Sequence, residues 1–139
     1  MRRGIATVEF ALIAPLILLM VAAVLDYTML MRAAIAVGDA ARAGAQFGSI
    51  STANASNTSG MQSAAIGAAP DINGISATAA KVCSCSNGST VNCSGGTCAS
   101  GPVRTYVQVT VQTNISPIFS YSRLGYTGAV VATATMRAQ

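Results

Sequence analysis

Hydrophobic residues form one uninterrupted block near the start of the chain and alternate with polar residues only farther along. From Phe10 to Leu25, sixteen consecutive residues carry no charge. Counted from Ile5 and including Glu9, the apolar stretch has 21 residues, which in a helix extend about 31 Å. Because that length is enough to cross a bilayer, the pattern predicts a transmembrane helix at residues 5–26.

The helical pattern continues beyond this block. Between Leu30 and Gly48 the chain has no proline and is rich in alanine, and two sides can be distinguished at helical spacing. One side carries small or apolar residues, namely Leu30, Ala34, Val37, Ala41, Gly44 and Gly48, and the other carries Arg32, Asp39, Arg42 and Gln46. We therefore predict one helix over residues 5–50 with a side that another backbone can approach closely, and a kink or a released hydrogen bond at Pro15.

The charges that flank the apolar block predict its orientation. Arg2 and Arg3 precede it, whereas only Asp26 and Arg32 follow closely. The positive-inside rule then places the N-terminus in the cytoplasm and residues 51–139 outside the cytoplasmic (inner) membrane, as an extracytoplasmic domain on a single-pass anchor. A cleaved secretory signal peptide is the alternative, but its apolar core is usually shorter, and Ala22-Ala23 lies inside the apolar run rather than after it.

The second part of the chain predicts a small mixed domain. Ser59 and Gln62 have the spacing of a helix capping box, which predicts a short helix ending near Ala69. Three strands are then predicted, with the clearest alternation in the second: Ile75–Val82, Val103–Thr113 and Ala129–Arg137. The predicted fold class is α+β, with a three- or four-stranded antiparallel sheet packed on the small-residue side of the long helix.

Four cysteines lie between the first two predicted strands, at Cys83, Cys85, Cys93 and Cys98. In an exported segment they predict two disulfides that staple a domain with a thin core. The spacing favours pairing of Cys83 and Cys85 each with Cys93 or Cys98, and it leaves the choice open. Zinc is the alternative, but the spacing matches no common zinc finger and the chain has no histidine to assist.

Composition narrows the function classes. Hydrophobic residues make up 52% and charged residues 9%, with a mean hydropathy of +0.53, which is too apolar for an ordinary soluble domain and for a disordered chain. The absence of histidine removes the commonest general base and metal ligand. We therefore expect no enzyme activity, no cofactor and no metal. The net charge is +4, but the basic residues form no patch along the sequence, so no nucleic-acid partner is expected.

Glu9 is an ionisable residue inside the predicted membrane segment, where it is either functional or solvated at the interface. It follows a short basic leader, with Gly4 five residues before it and Phe10 directly after it. This arrangement resembles the processing site of type IV pilin-like proteins. The resemblance implies that a prepilin peptidase cleaves between Gly4 and Ile5, which removes a leader at residues 1–4. It also implies that Glu9 and Phe10 serve subunit assembly, with Glu9 offsetting the Ile5 amine of a neighbouring subunit.

The resemblance extends to the TadE-like family of tight-adherence (Tad) pilus systems. The further residues that carry it are Pro15, the pair Asp26-Tyr27, the Ala-Ala-Arg-Ala-Gly element at 40–44, and the closing residues 134–137. It implies a minor pseudopilin that assembles or primes an adherence pilus, either within the filament or in the membrane. The implied partners are the prepilin peptidase, other pilin or pseudopilin subunits and the Tad assembly platform. The alternative is an unprocessed bitopic anchor that carries an extracytoplasmic adhesin.

Overall fold

A computed structural model describes residues 5–117 and 128–139, and the side chains of the first helix from Thr7 onward. Helix α1 spans Ile5–Ser49, a continuous helix of 45 residues that passes through Pro15. The predicted long helix is thus confirmed. Gly4 and the rest of the predicted leader lie outside the described residues.

The two halves of α1 have different surroundings. In the described part of the chain, Thr7–Ser49 contains an 18-residue window of mean hydropathy 2.6, none of it buried, so the helix is long and apolar enough to cross a membrane. Beyond it, one side of the helix is buried against the rest of the protein through Ala33, Val37, Ala40, Ala41 and Ala45. The predicted polar side, with Arg32, Asp39, Arg42 and Gln46, is exposed.

Two short helices follow, α2 at Thr52–Ser56 and α3 at Thr58–Gly67. The cap of α3 is Asn57, whose side-chain oxygen accepts a hydrogen bond from the Gly60 amide at 2.9 Å. The predicted capping box at Ser59 and Gln62 is therefore wrong. The Ser59 hydroxyl instead donates to the same Asn57 oxygen at 3.0 Å, because Asn57, at the turn after α2, already occupies the capping position.

The sheet has four antiparallel strands in the order β2-β1-β3-β4. Their bounds are β1 Ser76–Ser84, β2 Thr90–Val91, β3 Arg104–Asn114 and β4 Ala129–Arg137. Alternation along β3 turns Val107, Val109 and Val111 to the inner face, where each is fully buried. That face packs on α1 and α3, so the predicted α+β fold, with the sheet on the long helix, is confirmed.

The contact between α1 and the domain depends on Gly44. A Cβ atom at this position would lie 2.8 Å from the Met61 carbonyl oxygen, 2.9 Å from the Ala65 Cβ and 3.0 Å from a Val109 methyl carbon. One of these neighbours is backbone, so the packing cannot adjust by rotating a side chain alone. At Gly38, in contrast, a Cβ atom would meet nothing within 4 Å.

These two glycines give a matched pair of substitutions on one helix. Gly44→Ala should lower the free energy of unfolding by about 1–3 kcal/mol through overpacking. Gly38→Ala should raise it by about 0.5–1 kcal/mol, because alanine favours the helix and meets no obstacle. Urea unfolding of the full chain in detergent, followed by circular dichroism, measures both. Equal stability of the two variants would contradict a close contact at Gly44.

Candidate functional site

The first turns of α1 carry the residues predicted for processing and assembly. The described part of α1 starts at Ile5, the residue that would become the N-terminus after cleavage, and Gly4 lies outside the described residues. Glu9 and Phe10 are both exposed, Phe10 by 68%. The next cationic side chain after Glu9 in the sequence is Arg32. Among the described residues of α1, no basic side chain therefore lies within reach of the Glu9 carboxylate.

Around Glu9 the helix is apolar and exposed on every side. Large hydrophobic side chains at successive positions are mostly in contact with solvent, among them Leu12, Ile13, Leu16, Ile17, Leu18, Leu19 and Met20. A band of this kind has no preferred face toward the domain, so it is suited to lipid or to the helices of other subunits. A carboxylate within such a band is costly unless a cation joins it.

Asp26 marks the junction between this band and the domain. It is only 9% exposed and lies on the same side of α1 as the half-buried Leu30 and the buried Ala33 and Val37. Its neighbour Tyr27 points outward and is 60% exposed. The sequence pattern gave no indication that Asp26 is buried, since charge alone suggested a residue at the solvated end of the membrane segment.

The four cysteines staple the far end of the sheet. Cys83 is bonded to Cys93 and Cys85 to Cys98, with Cα–Cα distances of 5.2 and 5.7 Å. The prediction of two disulfides is confirmed, and the pairing left open by the sequence is resolved. The register of β1 and β2 determines it, because Cys83 lies opposite Val91 and Cys93 follows two residues later.

Removal of the disulfides should weaken the domain. Mass spectrometry of the exported protein under non-reducing conditions should detect no free thiol. Replacement of Cys85 and Cys98 together by serine should lower the free energy of unfolding by about 2–5 kcal/mol, because the open loop gains conformational entropy in the unfolded state. Unfolding in urea, compared with the unsubstituted protein, measures this loss. Four alkylatable thiols in the purified protein would contradict the pairing.

These features define an α+β protein built on one long helix, with a candidate membrane span near its N-terminus. A family model described as TadE-like protein matches residues 4–46. The match confirms the predicted resemblance over this segment. No curated protein and no solved structure gives a significant match.

The matched segment covers both functional parts of α1. It contains Glu9 and the exposed apolar band, and it also contains Ala40, Ala41 and Gly44, which contact the domain. The Ala-Ala-Arg-Ala-Gly element therefore has a packing role in this chain: its small residues let α3 and β3 approach the helix, while Arg42 between them stays exposed. The whole of the domain, residues 51–139, lies beyond the match.

Proposed function

We propose that this chain is a pilin-like structural subunit, a minor pseudopilin that helps to assemble or prime a Tad-type pilus used in adherence. A prepilin peptidase removes residues 1–4, and Ile5 becomes the N-terminus of the mature protein. The role is structural rather than catalytic. The proposal rests on the TadE-like match over residues 4–46, together with the exposure of the apolar band on all sides.

The geometry of α1 supports a subunit that is held in a membrane before it assembles. The apolar band fits a bilayer by length and composition, and the buried half of the helix fixes the domain directly beyond it. With Arg2 and Arg3 in the cytoplasm, the domain lies outside the inner membrane. The same band can then exchange lipid contacts for contacts with other pilin helices without any change in the fold of the domain.

Glu9 supports the assembly step. Cleavage after Gly4 creates a positive amine at Ile5, about 6 Å along the helix axis from Glu9. Because cleavage also removes Arg2 and Arg3, that amine is the one cation near Glu9 in the sequence of the processed chain, and a bundle of parallel helices can bring it to a neighbouring Glu9. Pairing of Glu9 with the N-terminal amine of an adjacent subunit, which is Ile5 in a second copy of this chain, sets the position of one helix along the next. Phe10 extends beside it as part of the apolar contact.

Two measurements on the native system test this function. N-terminal sequencing of the mature protein should begin at Ile5, and the protein should be found in sheared pili or co-purify with pilin subunits and the assembly platform. A mature protein that begins at Met1 and shows neither association would instead identify an unprocessed, membrane-anchored adhesin. A mature protein that begins at Ile5, but is neither found in sheared pili nor co-purified with pilin subunits, would contradict the assembly role and leave the processing step intact.

A further inference from the structure

The outward face of the sheet is uncharged over most of its area but not uniform. On one half of this face, hydroxyl groups are bonded within the sheet: the Thr78 hydroxyl donates to the Thr110 carbonyl at 3.4 Å, and the Thr110 and Thr133 hydroxyls are 2.9 Å apart. The other half contains a shallow depression of about 290 Å³ across the strands. We call it the distal recess, and it is lined by Val82, Ser84, Thr90, Tyr106, Gln108 and Thr135.

The polar groups of the distal recess are available to a ligand. Within the described part of the chain, the side chains of Tyr106, Gln108 and Thr135 make no hydrogen bond to another residue, in contrast to the Thr110 and Thr133 hydroxyls beside them. They offer an aromatic ring, an amide and a hydroxyl on one surface. This combination of an apolar platform with neutral donors and acceptors suits a ligand that is rich in hydroxyl groups.

Charge at the rim of the recess is positive. Arg137 is the cross-strand partner of Tyr106, and Arg104 is the partner of Ser84, so both cations lie at its edge. Both are exposed, and neither forms an ion pair with any residue that the structure describes. From residue 72 to residue 139 the sequence contains no aspartate or glutamate. The recess therefore complements an anionic ligand, with nothing on the sheet to compete for its cations.

The recess lies at the end of the domain that is farthest from the apolar band. The Gln139 amide donates to the Ser49 carbonyl at 3.2 Å, which joins the chain beyond Arg137 to the last residue of α1. Ser49 is about 35 Å along the helix from Asp26. This distance from the bilayer rests on the proposed membrane placement, and it disfavours lipid headgroups as the ligand. The disulfide of Cys85 with Cys98 holds the adjoining hairpin, so the recess is formed before binding.

We propose that the distal recess binds an acidic polysaccharide. One sugar ring lies on Tyr106, its hydroxyls exchange hydrogen bonds with the Gln108 amide and the Thr135 hydroxyl, and carboxylates of the sugar chain accept hydrogen bonds from Arg104 and Arg137. Two arginines beside one aromatic ring match a polysaccharide whose carboxylates are separated by uncharged segments rich in hydroxyl groups. A nucleic acid would instead call for a longer row of basic residues along its phosphates.

Calorimetric titration of the full chain, in a detergent without a sugar headgroup, tests this proposal. A galacturonate hexamer should bind, and a neutral maltohexaose should bind at least about tenfold more weakly, because it lacks carboxylates for the two arginines. Arg137→Gln should weaken hexamer binding about tenfold. Arg42→Gln is the charge-matched control, since Arg42 pairs with Asp39 at 3.0 Å on the helix, and it should leave binding unchanged.

A second pair of variants separates the recess from general charge attraction. Thr135→Val should weaken binding about threefold by removing a free hydroxyl. Thr133→Val makes the same change two residues away on the same face, where the hydroxyl is already bonded to Thr110, and should leave binding unchanged. Circular dichroism verifies that each variant is folded.

Three outcomes would overturn the proposal: equal binding of the neutral hexamer, no difference between the two valine variants, or equally tight binding of single-stranded DNA or anionic vesicles with the same dependence on Arg137. None of these depends on cleavage after Gly4 or on pili. Failure of polysaccharide binding is therefore distinguishable from failure of the proposed assembly function.

Discussion

Replacement of Gly4 by leucine is expected to leave the protein at its unprocessed length. A peptidase that cleaves between Gly4 and Ile5 must bring its catalytic groups against the backbone at that bond, and glycine is the residue that leaves the backbone uncovered. A side chain at position 4 would occupy the space that the catalytic groups need. N-terminal sequencing and intact mass measurement of membrane fractions should therefore find Met1, and no Ile5 terminus, in Gly4→Leu and also in Gly4→Ala.

The control for this experiment is Gly38→Ala, which makes the same glycine-to-alanine change on the same helix where a Cβ atom meets nothing within 4 Å. That variant should be cleaved at the normal rate. A processed terminus at Ile5 in Gly4→Leu would show that the glycine does not control maturation. Cleavage at another bond would show that the leader has a different boundary, and that result would remove cleavage between Gly4 and Ile5 from the proposed function.

The long helix and the central strand could be predicted because their patterns are local. The uncharged run after Glu9 and the small residues at helical spacing each extend over many turns, so α1 was predicted almost to its observed end at Ser49. The alternation from Val103 to Thr113 likewise matches β3, Arg104–Asn114, within one residue at each end. In both cases the pattern that predicts the element depends only on residues close to one another in the sequence.

The features that could not be predicted depend on contacts between distant segments. Helix α2 has five residues and buries only Ala55, too little for a periodic pattern. Asn57 caps α3 because α2 precedes it, which the Ser59–Gln62 spacing could not indicate. The pairing of the cysteines and the composition of the distal recess both follow from strand register, which brings Tyr106 beside Arg137 from positions 31 residues apart. Sequence spacing alone leaves such registers open.

Glu9→Gln is expected to leave cleavage after Gly4 intact while sharply reducing pilus assembly. In the proposed bundle, the Glu9 carboxylate and the Ile5 amine of an adjacent subunit form a charge pair surrounded by apolar helices. Removal of one member leaves the other charge buried without a partner, at a cost on the order of 3–5 kcal/mol. The peptidase acts before this pair forms, so cleavage after Gly4 should be the same in the variant as in the unsubstituted protein. Sequencing of the mature N-terminus and quantification of the protein in sheared pili measure the two steps separately.

Asp39→Asn is the matched control, because it makes the same carboxylate-to-amide change on the same helix, at an exposed residue already paired with Arg42. It should leave both cleavage and assembly unchanged, since an exposed ion pair contributes at most about 1 kcal/mol. Arginine at position 9 should reduce assembly more than glutamine, because it adds a like charge beside the amine. Normal piliation with Glu9→Gln would remove the pairing mechanism, and Glu9 would then be an interfacial residue whose carboxylate reaches water at the membrane surface.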